Sequence, residues 1–104
     1  MNVLKLKNSV RFYNINYPAL TVFKAVLDLW KELVPAINPV LTSANDSRHM
    51  VNSKHYSDLG WDFRTNNLPR TTAELARQRL AEILGSNYDV ILEKDHLHVE
   101  HDEK

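Results

Sequence analysis

At 104 residues the chain is long enough to close one small hydrophobic core and too short for a second, so a single domain over 1–104 is expected. Thirteen basic and thirteen acidic side chains cancel, which removes the global field that draws a protein to nucleic acid or to an anionic membrane surface. With no cysteine there is no disulfide and no thiolate metal site, and any metal must be held by His, Asp, Glu or water.

The amino-terminal stretch "MNVLKLKNSVRF" interleaves lysines with apolar residues and has no apolar run of signal-peptide length. Nowhere are there the roughly 20 consecutive apolar residues of a membrane span. Synthesis in a cytoplasm without an export signal, and no membrane insertion, are therefore expected. Within residues 3 to 15, "VLKLK" and "VRFYNI" alternate as an edge strand or hairpin would.

From Pro18 the period changes. Leu20, Val22, Phe23, Val26, Leu27, Trp30, Leu33 and Val34 recur every three or four residues, with Lys24, Asp28, Lys31 and Glu32 opposite, which predicts an amphipathic helix. Proline is tolerated in a first helical turn and cannot continue the hydrogen-bond ladder, so Pro18 and Pro35 bracket that helix at about 18 to 34. "INPVLTSA" then reads as a short buried strand. Residues 44 to 69 are rich in Asn, Asp, Ser and His and lack an obvious periodic element, which predicts a long functional loop or a disordered segment. Thr71 and Glu74 have capping-box spacing, and Leu75, Ala76, Leu80, Ile83 and Leu84 make a helical stripe that stops at Gly85, predicting a second helix over about 72 to 84. "YDVILE" and "HLHVEH" follow as two strands joined at Lys94 and Asp95.

All five histidines fall in two windows: His49 and His55 in the polar region, and His96, His98 and His101 near the carboxyl end. In a strand, residues i and i+2 share a face, so His96 and His98 project together while Leu97 and Val99 turn to the core. Each window alone has an ordinary reading. The H-x-H pair suits the polar face of a half-exposed strand. In the loop, His55 could cap a turn and Asp62 could pair with Arg64. Taken together, His55, Asp62 and one terminal histidine meet the count of a catalytic zinc site, in which three protein ligands leave a position for water.

The two windows resemble the zinc peptidases that group D-Ala-D-Ala carboxypeptidases with phage L-alanyl-D-glutamate endopeptidases, related more distantly to lysostaphin-type enzymes and the Hedgehog domain. The motif S-x-H-x-x-G-x-A-x-D is matched at Ser53, His55 and Asp62, with Asp58 and Gly60 where that pattern has glycine and alanine. The second motif, an acidic residue three before a histidine and often within H-x-H, is matched at Asp95 and His98, with His96 as the first histidine. "HMVNSKHY" and "DFRT" look like small phage-encoded members, and the resemblance spans about Thr42 to His101.

The resemblance implies one zinc ion held by His55, Asp62 and His98. It makes Asp95 the general base toward metal-activated water and His96 a hydrogen-bond donor to the developing oxyanion. Asp95 has the opposite strand parity to His98, so it shares the site only if the chain is still turning there; Glu93 with His96 is the competing pair. Ser53 and Arg64 are candidates to support the turn and the carboxylate, and Arg48 and His49 to contact substrate. Trp30 and Trp61 read as core and loop-packing residues, and His101 as solvent-exposed.

The fold expected is α+β: a small, mainly antiparallel sheet with the site on one face and two helices packed on the other, as in the Hedgehog and D-Ala-D-Ala peptidase fold. The function expected from the resemblance is hydrolysis of an amide in peptidoglycan stem peptides during phage or prophage lysis or cell-wall entry. The alternative is a non-catalytic zinc-binding structural or binding module of a phage particle. A metal-dependent nuclease is disfavoured by the neutral charge and the lack of a basic stripe.

Overall fold

A computed structural model describes residues 2–8, 10, 17–44 and 60–101 of the chain. Its elements are β1 (Lys5–Leu6), α1 (Tyr17–Leu33), β2 (Val40–Ala44), β3 (Gly60–Arg64), α2 (Arg70–Leu84), β4 (Tyr88–Leu92) and β5 (His96–His101). The five strands form one sheet in the order β1-β2-β3-β5-β4.

The α+β class is as expected, but the sheet is mixed. β1 runs parallel to β2, pairing Lys5 with Val40 and Leu6 with Leu41, whereas the other three pairings are antiparallel. A parallel neighbour needs a crossover, and α1 lies in the chain between β1 and β2. The two-residue β1 is thus one end of a strand–helix–strand unit, a pairing that local alternation does not reveal.

α1 buries Ala19, Val22, Ala25, Val26, Leu29 and Trp30. Leu20, expected in that stripe, is 54% exposed, because alanines at 19 and 25 turn the inner face slightly from where the larger residues alone would set it. In α2 the inner face is narrow and small, formed by Ala73, Ala76 and Leu80, while Leu75 and Ile83 face outward. The Thr71–Glu74 capping box does not form. The helix starts at Arg70, Pro69 occupies the cap position without a side-chain cap bond, and the Ala73 amide donates to the Pro69 carbonyl at 2.9 Å. Proline's fixed φ starts the helix earlier than a threonine cap would. At the other end Gly85 has φ 88°, a backbone conformation that costs glycine little, and its amide closes on the Ala81 carbonyl.

The segment expected as one long loop contains the central strand β3. Its sequence "GWDFR" alternates cleanly: Trp61 and Phe63 are buried, and Gly60, Asp62 and Arg64 lie on the other face at intermediate exposure. Five residues flanked by polar chain are too few to stand out by composition. Trp61 is consequently a core residue, not a loop-packing one. Phe23 of α1 meets both Trp61 and Phe63 edge to face, with centroids 6.2 and 6.3 Å apart, which joins helix to sheet. Leu41, Leu97 and Val99 complete the sheet's side of one core cluster that also holds Ala76 and Leu80 of α2. Both helices therefore cover the same sheet face, and the opposite face carries mainly polar side chains, with Ile91 exposed beside His98.

Candidate metal centre

The inward pull of Trp61, Phe63, Leu97 and Val99 sends their alternating neighbours to the uncovered face. β3 and β5 are antiparallel in a register that sets Asp62 opposite His98 and Arg64 opposite His96. His98 Nδ1 lies 2.7 Å from Asp62 Oδ1, and His98 Nε2 lies 3.2 Å from Glu100 Oε1. His96 presents Nε2 to the same Asp62 oxygen at 3.8 Å and holds Asp95 Oδ1 at 2.7 Å through Nδ1. Carboxylate and imidazole thus alternate across the sheet in the order Asp95, His96, Asp62, His98, Glu100.

Electrostatics follow from this alternation. The hydrogen bond to Asp62, aided by Glu100, raises the His98 pKa to about 9 against the opposing effect of burial. His98 is therefore an imidazolium at neutral pH when no metal is present, donating from both ring nitrogens. The Asp95 carboxyl is held below its ordinary range, chiefly by its hydrogen bond from His96.

Asp95 meets the geometric requirement set by its parity. The Glu93 amide donates to the His96 carbonyl at 2.8 Å, which closes a tight turn over residues 93–96, and the Thr65 amide donates to the Asp95 carbonyl at 3.0 Å. Asp95 is thus still in the turn when its side chain reaches His96. Glu93, the competing acid, accepts a hydrogen bond at its backbone carbonyl from Arg70. Arg64 extends on the Asp62 face as an extended segment requires, but stands across from His96, and the partner of Asp62 is His98 rather than Arg64.

Gly60, which stands where the resemblance has alanine, lies beside the His98 ring. A Cβ at that position would meet His98 Cε1 at 3.5 Å, an ordinary contact, so either residue suits the site. His101 departs from the expected exposure. It is half-buried, its ring packs edge-on to Tyr88 at 4.8 Å, and its Nδ1 is enclosed without a hydrogen-bond partner among the described residues.

Of the three zinc ligands implied by the resemblance, Asp62 and His98 are in contact, whereas His55 lies outside the described residues. Arg48, His49, Ser53 and Asp58 lie outside them too. Among the described residues no three His, Asp or Glu side chains are arranged to hold a metal ion. The donor pair nevertheless fits zinc in kind, being imidazole nitrogen and carboxylate oxygen. It also fits in spacing: two tetrahedral ligands of one zinc ion stand about 3.4 Å apart, an opening of less than 1 Å from the 2.7 Å at which Asp62 and His98 share a proton. Glu100 was not foreseen from the sequence, although its position two after His98 in an alternating strand was the available signal. No helix among the described residues is long and apolar enough to cross a membrane. Neither protein-family models nor curated proteins give a match to this chain.

Proposed function

We propose that the protein is a zinc-dependent peptidase acting on an amide of peptidoglycan stem peptides, with His55, Asp62 and His98 as the metal ligands. The observation that carries this reading is the Asp62–His98 contact between chain segments 36 positions apart, with the His96–Asp95 pair beside it. When bound, zinc supplies Lewis acidity toward the scissile carbonyl and lowers the pKa of water toward neutrality.

The chain's own groups have distinct tasks in this reading. Asp62 carries the negative charge that offsets the metal's, and Glu100 fixes the His98 ring from its far nitrogen. Asp95, ionised and 64% exposed at its side chain, takes the proton from the attacking water as general base. The same carboxylate accepts from His96 Nδ1, which keeps Nε2 turned toward Asp62; Nε2 donates to the oxyanion only in the imidazolium form of the ring.

The test is purified protein with a measured zinc content, assayed on peptidoglycan beside Asp95→Asn. Cleavage by the wild type that is lost in the variant, with zinc retained in both, supports the enzyme. Zinc retention without cleavage of any wall preparation overturns it and leaves a zinc-binding structural module of a phage particle.

A further inference from the structure

The two outer edges of the sheet are not alike. β1 is two residues long, begins on Lys5 and is followed by Lys7, and shortness and lysine are the usual guards of an exposed edge. β4 has neither guard. Tyr88–Leu92 pairs with β5 in unbroken register and contains no lysine or proline. The Glu93 amide donates to the His96 carbonyl, so by the alternation of an antiparallel ladder Ile91 and Asp89 also turn their backbone groups to β5, while Val90 and Leu92 turn theirs to the open edge. Among the described residues no hydrogen bond outside the ladder reaches Val90 or Leu92.

Along that edge runs a groove of about 680 Å³, walled by Arg70, Glu74, Leu75 and Arg77 of α2 and by residues 90–92 of β4. Because α2 covers the sheet face opposite Asp62 and His98, the groove is separate from the candidate metal centre. Leu75 and Ile91, 43% and 48% exposed, flank the edge on its two faces. The charge is one-sided. Arg70 donates to the Glu93 and Lys94 carbonyls at 3.2 and 3.5 Å and lies 3.8 Å from Glu74. Arg77, about two helical turns farther on, has no acidic partner among the described residues.

We propose that the β4 edge takes an extended segment of another protein as an added strand, with apolar residues at alternate positions over Leu75 and a carboxylate on Arg77. The open backbone groups of Val90 and Leu92 supply main-chain pairing and the groove supplies sequence preference, while the unpaired guanidinium takes the carboxylate through charge-assisted bonds. A second copy of this chain fits the edge less well. Antiparallel self-pairing that uses both Val90 and Leu92 is centred on Ile91 and sets Asp89 opposite Glu93 of the other copy twice, and like charges directly opposite are destabilising. Centring on Val90 needs the Tyr88 amide, which already donates to the Gly85 carbonyl at 3.2 Å.

The test uses the 104-residue chain and the peptide acetyl-Thr-Val-Thr-Val-Thr-Glu-Thr-amide, whose valines and glutamate share one face in a strand. Affinity is read by calorimetry and amide protection by hydrogen-exchange NMR. The peptide should bind and slow exchange of the Val90 and Leu92 amides. N-methylation of both valines, whose amides face β4, should weaken binding by about tenfold or more. Glutamine in place of the glutamate should weaken it by about three- to tenfold. Arg77→Gln should weaken the glutamate peptide by the same factor and leave the glutamine peptide unchanged. No binding, equal binding of the N-methylated peptide, or unprotected Val90 and Leu92 amides overturns the added strand. A glutamate preference that survives Arg77→Gln overturns the role of Arg77. Sedimentation of the chain alone as a dimer, with both amides already protected, overturns the external partner and assigns the edge to a second copy.

Discussion

Asp62 and His98 face each other across β3 and β5, with Oδ1 and Nδ1 2.7 Å apart. The neighbouring Trp61 is 2% exposed and Val99 fully buried, so the pair stands on strands anchored in the core. Both side chains are partly shielded, at 24% and 31% exposure, which strengthens their attraction relative to a surface pair.

That attraction predicts a specific titration. In metal-free protein the His98 imidazole should titrate near pH 9, as its pKa is raised to about 9. A folded-state pKa above the unfolded value of about 6.5 stabilises the fold fully below pH ~6.5, and the contribution disappears as pH rises through about 9. Histidine-ring NMR titration checks the midpoint. In Asp62→Asn the largest cause of the shift is removed, and the midpoint should fall toward the ordinary histidine value. An unchanged midpoint would contradict the pairing.

Under the proposed ligation, zinc and that proton compete for the same nitrogen and oxygen. Binding should therefore release protons, and apparent affinity should climb with pH up to about 9. Calorimetry in buffers of different ionisation enthalpy counts the protons. Asp62→Asn and His98→Ala should each weaken zinc by on the order of a hundredfold or more, while far-ultraviolet circular dichroism stays that of the wild type.

Gly60 separates space from chemistry. Gly60→Ala places a Cβ in ordinary contact with the His98 ring and should stabilise the strand by about 0.5–1 kcal/mol, with zinc affinity within about twofold. Gly60→Leu extends further over the ring and should weaken zinc binding far more than it lowers stability. Equal effects of the two substitutions on zinc would show that residue 60 does not adjoin the ligand.

The platform beneath the site should be fragile to truncation. Phe63→Ala removes a fully buried ring that packs edge-on to Phe23 and should cost about 3–5 kcal/mol, a large part of the ~5–15 kcal/mol available to a small domain. Leu97→Ala, under His96 and His98, should cost about 2–5 kcal/mol. Urea denaturation measures both. A loss below 1 kcal/mol in either would argue against the packing described.

The elements that were legible in the sequence are those whose own side chains carry a periodic signal. The apolar stripe between Pro18 and Pro35 marks α1, and the alternation of "HLHVEH" sets His96 and His98 on one face with Leu97 and Val99 on the other. Within five residues such alternation loses its contrast, so "GWDFR" was hidden in polar chain although it is the central strand. Thr71 had the residue type of a cap, but its neighbour Pro69 set the helix start, because a fixed φ outweighs an optional side-chain hydrogen bond.

What the sequence alone determined is each residue's chemistry and its local parity: which imidazoles point together, and which acids stand near them in the chain. Only the tertiary structure decided what faces what across strands. The β3–β5 register is set by burial of Trp61 and Phe63 against Val99 and Leu97, and a slip of one residue would have turned Asp62 into the core. The same register joins Asp62 to His98 and lines Arg64 up with His96, and the parallel pairing of β1 brings Lys7 to their rung. Such long-range pairings follow from the sum of core contacts over the whole chain, and no short stretch of sequence contains that sum.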